Sequence, residues 1–228
     1  MSRYLAITLA LLIAASSPAR AGQVEKCSIE AEFFPSDASS GGYRVSPGSF
    51  MRGIASLTLS PTAGDTLGFY LHGEFRVDSV TAGGCALDHS SEKTFFRMDY
   101  SCVALDVSVP VPATGCRSIE VHYSGFLNPS RARCLSDYMR ADSREGVFLR
   151  SYGYSLWFPV FAEPGEDTYE VDFERVAISA PERFRVVVSG ELEGESVDGG
   201  VRTTVWRPGR MDISDIQCAA RPYEVLSR

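Results

Sequence analysis

The sequence predicts an all-β protein, an antiparallel sandwich or strongly curved sheet with at most one short helix. Three observations carry that expectation: apolar and polar residues alternate with a period of two along most of the chain, glycine pairs punctuate the alternation, and only one stretch has helical spacing. Strands of this kind put one face in a core and the other in water, the habit of antiparallel sheets.

In chain order, the first element reads as a secretory signal. Arg3 supplies a positive start, Leu5 to Ala15 an apolar run and Ala19-Arg20-Ala21 a small-x-small cleavage site. Residues 1–21 are therefore expected to be removed, leaving 22–228, about 207 residues, as a single β-domain. The apolar run is shorter than the ~20 residues of a membrane helix and no later stretch approaches that length, so a secreted or periplasmic protein with no membrane span is expected.

Cys27 to Phe34 reads as the first strand, Pro35 to Gly48 as a long loop behind it, and Ile54 to Ser60 as the next strand. In LGFYLHGEFRVDSV, Leu67, Phe69, Leu71, Phe75 and Val77 share one face, with His72, Glu74, Arg76 and Asp78 on the other. Thr94 to Val109 follows beyond Gly83-Gly84. In RSIEVHY, Ile119, Val121 and Tyr123 oppose Ser118, Glu120 and His122. Cys134, Leu135, Tyr138 and Met139 recur at helical spacing in SRARCLSDYMRADS and predict the one short helix. In TYEVDFE, Tyr169, Val171 and Phe173 oppose Glu170, Asp172 and Glu174; Phe184 to Ser189, Val201 to Trp206 and Cys218 to Val225 are further strands. The turns at Gly190 to Gly194 and Asp198-Gly199-Gly200 bracket a hairpin.

Before TYEVDFE lies SLWFPVFAEPGED, near which Tyr152, Tyr154, Trp157, Phe158 and Phe161 crowd ten residues. Such a cluster either fills a sheet corner or makes a sticky surface. The burial tendency of aromatic rings favours the corner; if the surface reading holds, Tyr152, Tyr154 and Trp157 are the residues that would take a ligand.

Charge and cysteine content narrow the function. Removing the signal takes away Arg3 and Arg20 and no acid, moving the formal charge from −7 to −9, which argues against nucleic acid or an anionic membrane as partner. Lys26 and Lys93 are the only lysines and Asn128 the only asparagine, a bias typical of a GC-rich bacterial genome. Cys27, Cys85, Cys102, Cys116, Cys134 and Cys218 all lie in the mature chain, and an even count in an exported protein favours three disulfides over metal ligation. Six cysteines allow 15 connectivities. Pairing neighbours joins Cys85 to Cys102 and Cys116 to Cys134, leaving Cys27 for Cys218.

The catalytic motifs are missing. The three histidines, His72, His89 and His122, form no H-E-x-x-H helix, and neither Ser155 nor Ser189 sits in a G-x-S-x-G elbow. No P-loop and no G-x-G-x-x-G occurs. Glu163 with Glu166 and Asp167 belongs to a Pro-Gly turn, where acids serve solubility more often than glycoside chemistry. No cofactor and no metal site is expected.

The order of segments resembles the N-terminal β-domain of aminopeptidase N-type zinc metallopeptidases. FRVDSVTAGGCAL (Phe75 to Leu87) is similar to that family's L-x-I-x-S-V-x-x-x-G-x-x-L strand, and IEVHYSGFLN (Ile119 to Asn128) to its V-x-Y-S-G-x-L-N. SLWFPVFAEPGEDTYEVDFERVAISAP resembles F-P-C-x-D-E-P-x-x-K-x-x-F-x-V-x-I-x-x-P, with Val160 in place of the cysteine and Ala162-Glu163-Pro164 in place of D-E-P. TTVWRPGRMDISDIQCAARPYEV stands where the family has its W-x-F and P-M-x-x-Y segment. The resemblance covers Ile54 to Val225 and implies a saddle-like β-domain. The family's zinc-binding H-E-x-x-H helix and substrate-anchoring G-x-M-E-N strand do not occur in this sequence, and LRSYGYSL carries no counterpart of the glutamine or glutamate that those enzymes lend from this domain. The resemblance thus implies a non-catalytic domain that binds a protein or peptide through a sheet edge or the aromatic patch; the alternative is the non-catalytic part of a split zinc aminopeptidase.

Overall fold

The computed structural model describes residues 23–35, 49–61, 63–95, 103–112, 115–127, 139–142, 146–149, 156–161 and 169–222. These form sixteen strands and one turn of 3₁₀ helix at Ile213–Asp215, so the all-β expectation is borne out. The strands are β1 (Val24–Pro35), β2 (Ser49–Leu59), β3 (Thr66–His72), β4 (Phe75–Ala82), β5 (Cys85–Ala86), β6 (Ser90–Phe95), β7 (Val103–Pro110) and β8 (Ser118–Leu127). They continue as β9 (Met139–Asp142), β10 (Gly146–Leu149), β11 (Glu170–Pro181), β12 (Arg185–Val188), β13 (Glu191–Asp198), β14 (Val201–Arg207), β15 (Gly209–Asp212) and β16 (Cys218–Arg221).

Nine strands make the principal sheet, in the order β13-β14-β11-β1-β2-β8-β4-β5, with β15 continuing alongside the first half of β11. One pairing departs from the antiparallel expectation: β1 and β11 run parallel. A parallel pair needs a long crossover, and the stretch between Pro35 and Glu170, whose described residues form nine strands, serves as one. A four-stranded sheet, β12-β16-β10-β9, and a three-stranded one, β3-β7-β6, accompany it.

The alternation read from the sequence sets the core face of the large sheet. Ile29, Ala55, Leu57, Ile119, Val121, Val171, Phe173, Val176 and Ile178 are all at most 1 % exposed. A single apolar cluster continues from them into the small sheets through Leu67, Phe69, Val107 and Val109 on one side and Val147, Leu149 and Val188 on the other.

Leu156 to Phe161 joins these parts. The segment is buried throughout, and it is a strap rather than a corner. Tyr70 and Val160 exchange backbone hydrogen bonds of 2.8 and 3.0 Å, and the His72 N–H donates to the Leu156 carbonyl at 2.9 Å, so the strap runs along the free edge of β3. Phe161 meets Phe69 edge-on at 6.0 Å and Phe158 meets Phe173 edge-on at 5.8 Å, bridging the three-stranded sheet to the large one. Leu156 takes φ 45°, the left-handed region that a branched side chain enters only when its surroundings hold it there.

Two further expectations change. Leu67 to Val80, read as one alternation, divides at Gly73-Glu74 into β3 and β4 of different sheets. The backbone N–H of Gly73 donates to Val103 at 3.1 Å, and a Cβ on Gly73 would stand 2.5 Å from that same carbonyl oxygen, so only glycine turns the chain so closely against β7. The expected helix is contradicted where it can be seen: Met139–Asp142 is a strand, paired residue by residue with β10. Apolar residues at i, i+3 and i+4 over so few positions do not distinguish a helix from an edge strand that gains a partner. Cys134, Leu135 and Tyr138 lie outside the described residues.

Candidate functional site

The solvent face of the large sheet is the reverse of its core alternation. Glu30 and Glu32 on β1, Arg52 and Ile54 on β2, His122 on β8, Asp78 and Ser79 on β4, Arg175 and Ser179 on β11 and Thr203 on β14 line a hollow of about 440 Å³. That volume lies within the ~300–1,000 Å³ of small-ligand pockets. The charges around it are mostly paired. Arg175 binds Glu30, His122 Nε2 lies 2.5 Å from Glu120 Oε1, Arg76 Nε donates to Asp78 at 2.7 Å, and the hydroxyls of Ser179 and Thr203 stand 2.8 Å apart. Exposed pairs of this kind contribute less than about 1 kcal/mol each, so their chief effect is to fix the orientation of the side chains around the hollow.

One end of this face is aromatic. The register sets Phe34 opposite Phe50 and Phe50 opposite Phe126, a row across three strands at the polar parity of each. Phe34 and Phe50 are 6.1 Å apart and tilted, Phe50 and Phe126 are 5.2 Å apart edge-on, and Phe126 is 49 % exposed. The Arg52 guanidinium carbon lies 5.4 Å from the Phe34 ring centre and 6.0 Å from that of Phe50, within cation-π range. An arginine stacked on two rings keeps in-plane donors for a carboxylate or a peptide carbonyl. The sequence reading missed this group. The signal available was apolar residues at the wet parity of their strands, Phe34 beside Phe33 and Phe126 two places beyond Ser124.

Of the residues expected to bind, Trp157 is fully buried, and its indole meets Phe158 edge-on at 4.9 Å, so it is core and offers no surface to a ligand in this fold. Tyr152 and Tyr154 lie outside the described residues, as do Glu163, Glu166 and Asp167. The face of Glu170 and Glu174 is solvated as expected, with Arg210 Nε donating to Glu170 at 2.9 Å and Lys26 Nζ to Glu174 at 2.5 Å.

The histidines are dispersed. His89 is exposed, His122 lines the hollow, and His72, expected on a wet face, is 3 % exposed. Burial, with a smaller contribution from the Lys93 charge, pushes the His72 pKa down to about 4. Its Nδ1 accepts the Glu74 N–H at 3.2 Å, which keeps that nitrogen unprotonated. Among the described residues no three of His, Cys, Asp and Glu are grouped to hold a metal ion.

Cys27, Cys85, Cys116 and Cys218 are free thiols here, so the joining of Cys27 to Cys218 is not formed; Cys102 and Cys134 lie outside the described residues. Cys27 and Cys218 are each 1 % exposed, and burial pushes the Cys218 thiol up to about 12 and that of Cys27 higher still. Neither has the character of a nucleophile.

Comparison with solved structures gives the fold its context. An M1 zinc metallopeptidase E323A mutant from Deinococcus radiodurans superposes with a TM-score of 0.64 at 13% identity, over 89% of this chain and 42% of that one. The chain has the fold of the M1 metallopeptidase β-domain. Native yeast LTA4 hydrolase matches with a TM-score of 0.52 at 16% identity, over 86% of this chain and 28% of its own. The chain thus spans less than half the length of these enzymes, and at such identities the likeness is one of fold. No family model and no curated protein matches the sequence. The resemblance read from FRVDSVTAGGCAL, IEVHYSGFLN and SLWFPVFAEP is therefore one that the solved structures bear out.

Proposed function

We propose that this chain is an exported, non-catalytic binding domain, and that a protein or peptide partner lies in the hollow on the polar face of the large sheet. The observation that carries the reading is the row of Phe34, Phe50 and Phe126 with Arg52 stacked on it: partly exposed rings and an oriented guanidinium beside a polar hollow suit an extended peptide with an apolar and an acidic or carbonyl group. Export rests on the signal-like residues 1–21. Cleavage after Ala21 leaves the 5 % exposed Gln23 and all of β1 in the mature chain, so the cut and the fold are compatible.

The test is selection of peptides from a displayed library against chain 22–228, followed by titration of the winners against Phe126→Ser and Arg52→Ala. Both variants should weaken binding at least tenfold while keeping the thermal midpoint. An empty selection, or winners that bind the two variants unchanged, would remove the reading. Incubation with zinc and aminoacyl amides should give no chelator-sensitive cleavage.

A second reading, the non-catalytic part of a split zinc aminopeptidase, is favoured by the 42% coverage of the metallopeptidase relatives. It predicts that a neighbouring reading frame encodes H-E-x-x-H without a β-domain of its own, and that its product co-purifies with this chain and is inactive alone.

A further inference from the structure

We propose that Cys85 and Cys116 form a disulfide that fastens the tip of the β4-β5 hairpin to the start of β8. Gly83 and Gly84 make the hairpin turn, with φ of 58° and 81°, and set Cys85 directly opposite Ala82. Directly opposed residues project from the same face of a sheet. Ala82 is in turn opposite Ile119 on β8, and both are buried, so Cys85 leaves the hairpin on the core side at the open edge. Cys116 arrives from the other direction. It precedes β8 by two residues, packs against the same apolar cluster, and its Sγ lies 3.5 Å from where a Cβ on Gly83 would stand. One thiol therefore rests against the turn and the other belongs to the strand leaving that turn.

Among the described residues nothing else occupies these sulfurs: both are free, Cys85 is exposed and Cys116 half-buried, and the only hydrogen bond of either is a weak one from Cys116 Sγ to the Ser118 carbonyl at 3.4 Å. The accessible sulfur is the one a soluble oxidant reaches. The Cys85 thiolate attacks a sulfur of a disulfide donor such as oxidised glutathione and expels one glutathione thiolate; the Cys116 thiolate then attacks the mixed disulfide at Cys85 and expels the second. Two protein thiols become one disulfide, one oxidised glutathione becomes two reduced ones, and protons are conserved. The bond closes a loop of about 30 residues, long enough to stabilise by limiting the unfolded chain. It also replaces the neighbour-in-sequence pairings of Cys85 with Cys102 and of Cys116 with Cys134.

Purified chain 22–228, reduced and then equilibrated with oxidised glutathione, is alkylated and cut with trypsin and an Asp-specific protease without reduction. Cuts at Asp99, Asp106 and Arg117 separate residues 99–105, which hold Cys102, from residues 106–117, which hold Cys116. Expected is a mass joining residues 78–87 to 106–117, absent from Cys85→Ser and from Cys116→Ser, with the thermal midpoint of the oxidised parent raised by about 5–10 °C over the reduced form. A mass joining 78–87 to 99–105 or to any other cysteine peptide, or full alkylation of Cys85 and Cys116 after oxidation, overturns the assignment. Because the oxidant is supplied, the result does not depend on export or on any partner.

Discussion

His72 on β3 and His122 on β8 stand at similar places in two alternating strands, and their surroundings could hardly differ more. His122 is on the open face of the large sheet, bonded to Glu120 and partly in water. His72 is held in the core, with the Phe75 ring centre 5.4 Å from its own and the Leu156 carbonyl on its backbone N–H. The difference comes from what lies beyond the strand. β8 is one layer with a free face, while every residue of β3 from Leu67 to His72 is buried, because the 156–161 strap fills the free edge of β3 and carries its rings into the space beside it. Alternation predicts a wet face only where nothing is packed upon it.

The largest way to break this comparison is to empty the strap. Trp157→Ala should cost about 3–5 kcal/mol by loss of transfer energy and the cavity left behind, read as a lower denaturant midpoint, and should expose β3. A loss under about 1 kcal/mol would mean the indole is not core.

Next is the titration of His72. Its folded pKa is depressed from 6.5 to about 4, so the unfolded chain binds the extra proton over that window. Stability is therefore intact above about pH 6.5 and falls as pH drops toward 4, by about 3 kcal/mol in all. The control is His72→Asn, which keeps an acceptor for the Glu74 N–H. Urea midpoints of that variant should lose most of the pH 6.5 to 4 slope.

A smaller effect is expected beneath the hollow. The Tyr123 hydroxyl is buried without a partner among the described residues, and burial, with the nearby Cys27, raises its pKa. Tyr123→Phe removes an unsatisfied group and should leave stability unchanged or raise it by about 1 kcal/mol; a loss of 2 or more in calorimetry would reveal a hydrogen bond not seen here. The smallest effect belongs to His122→Gln, which removes a half-exposed pair with Glu120 and should shift stability by less than about 1 kcal/mol. Together the two histidine variants measure how much a second layer changes the same residue type.

Much of the molecule is legible before folding. Val171 and Phe173 buried against solvated Glu170 and Glu174, or Ile119 and Val121 against Glu120 and His122, follow from period two alone. The landmark segments placed the fold correctly because they encode local turns and strand exits that recur with it. The aromatic row was harder to find. Phe34, Phe50 and Phe126 are far apart in sequence and become one surface only through the register of β1, β2 and β8. Trp157 was weighed as surface or core, and the choice depended on whether β3 had a free edge to receive its segment.

The sequence by itself determined which residues can share a face, since side-chain direction alternates along any extended chain whatever its neighbours. It also determined where the chain must turn, as at Gly83-Gly84. Tertiary structure decided which faces meet water, which strands separated by more than a hundred residues become neighbours, and which cysteines approach one another. Those are properties of pairs of segments: the burial that neutralises His72 and the turn that brings Cys116 to Gly83 exist only once distant strands have paired.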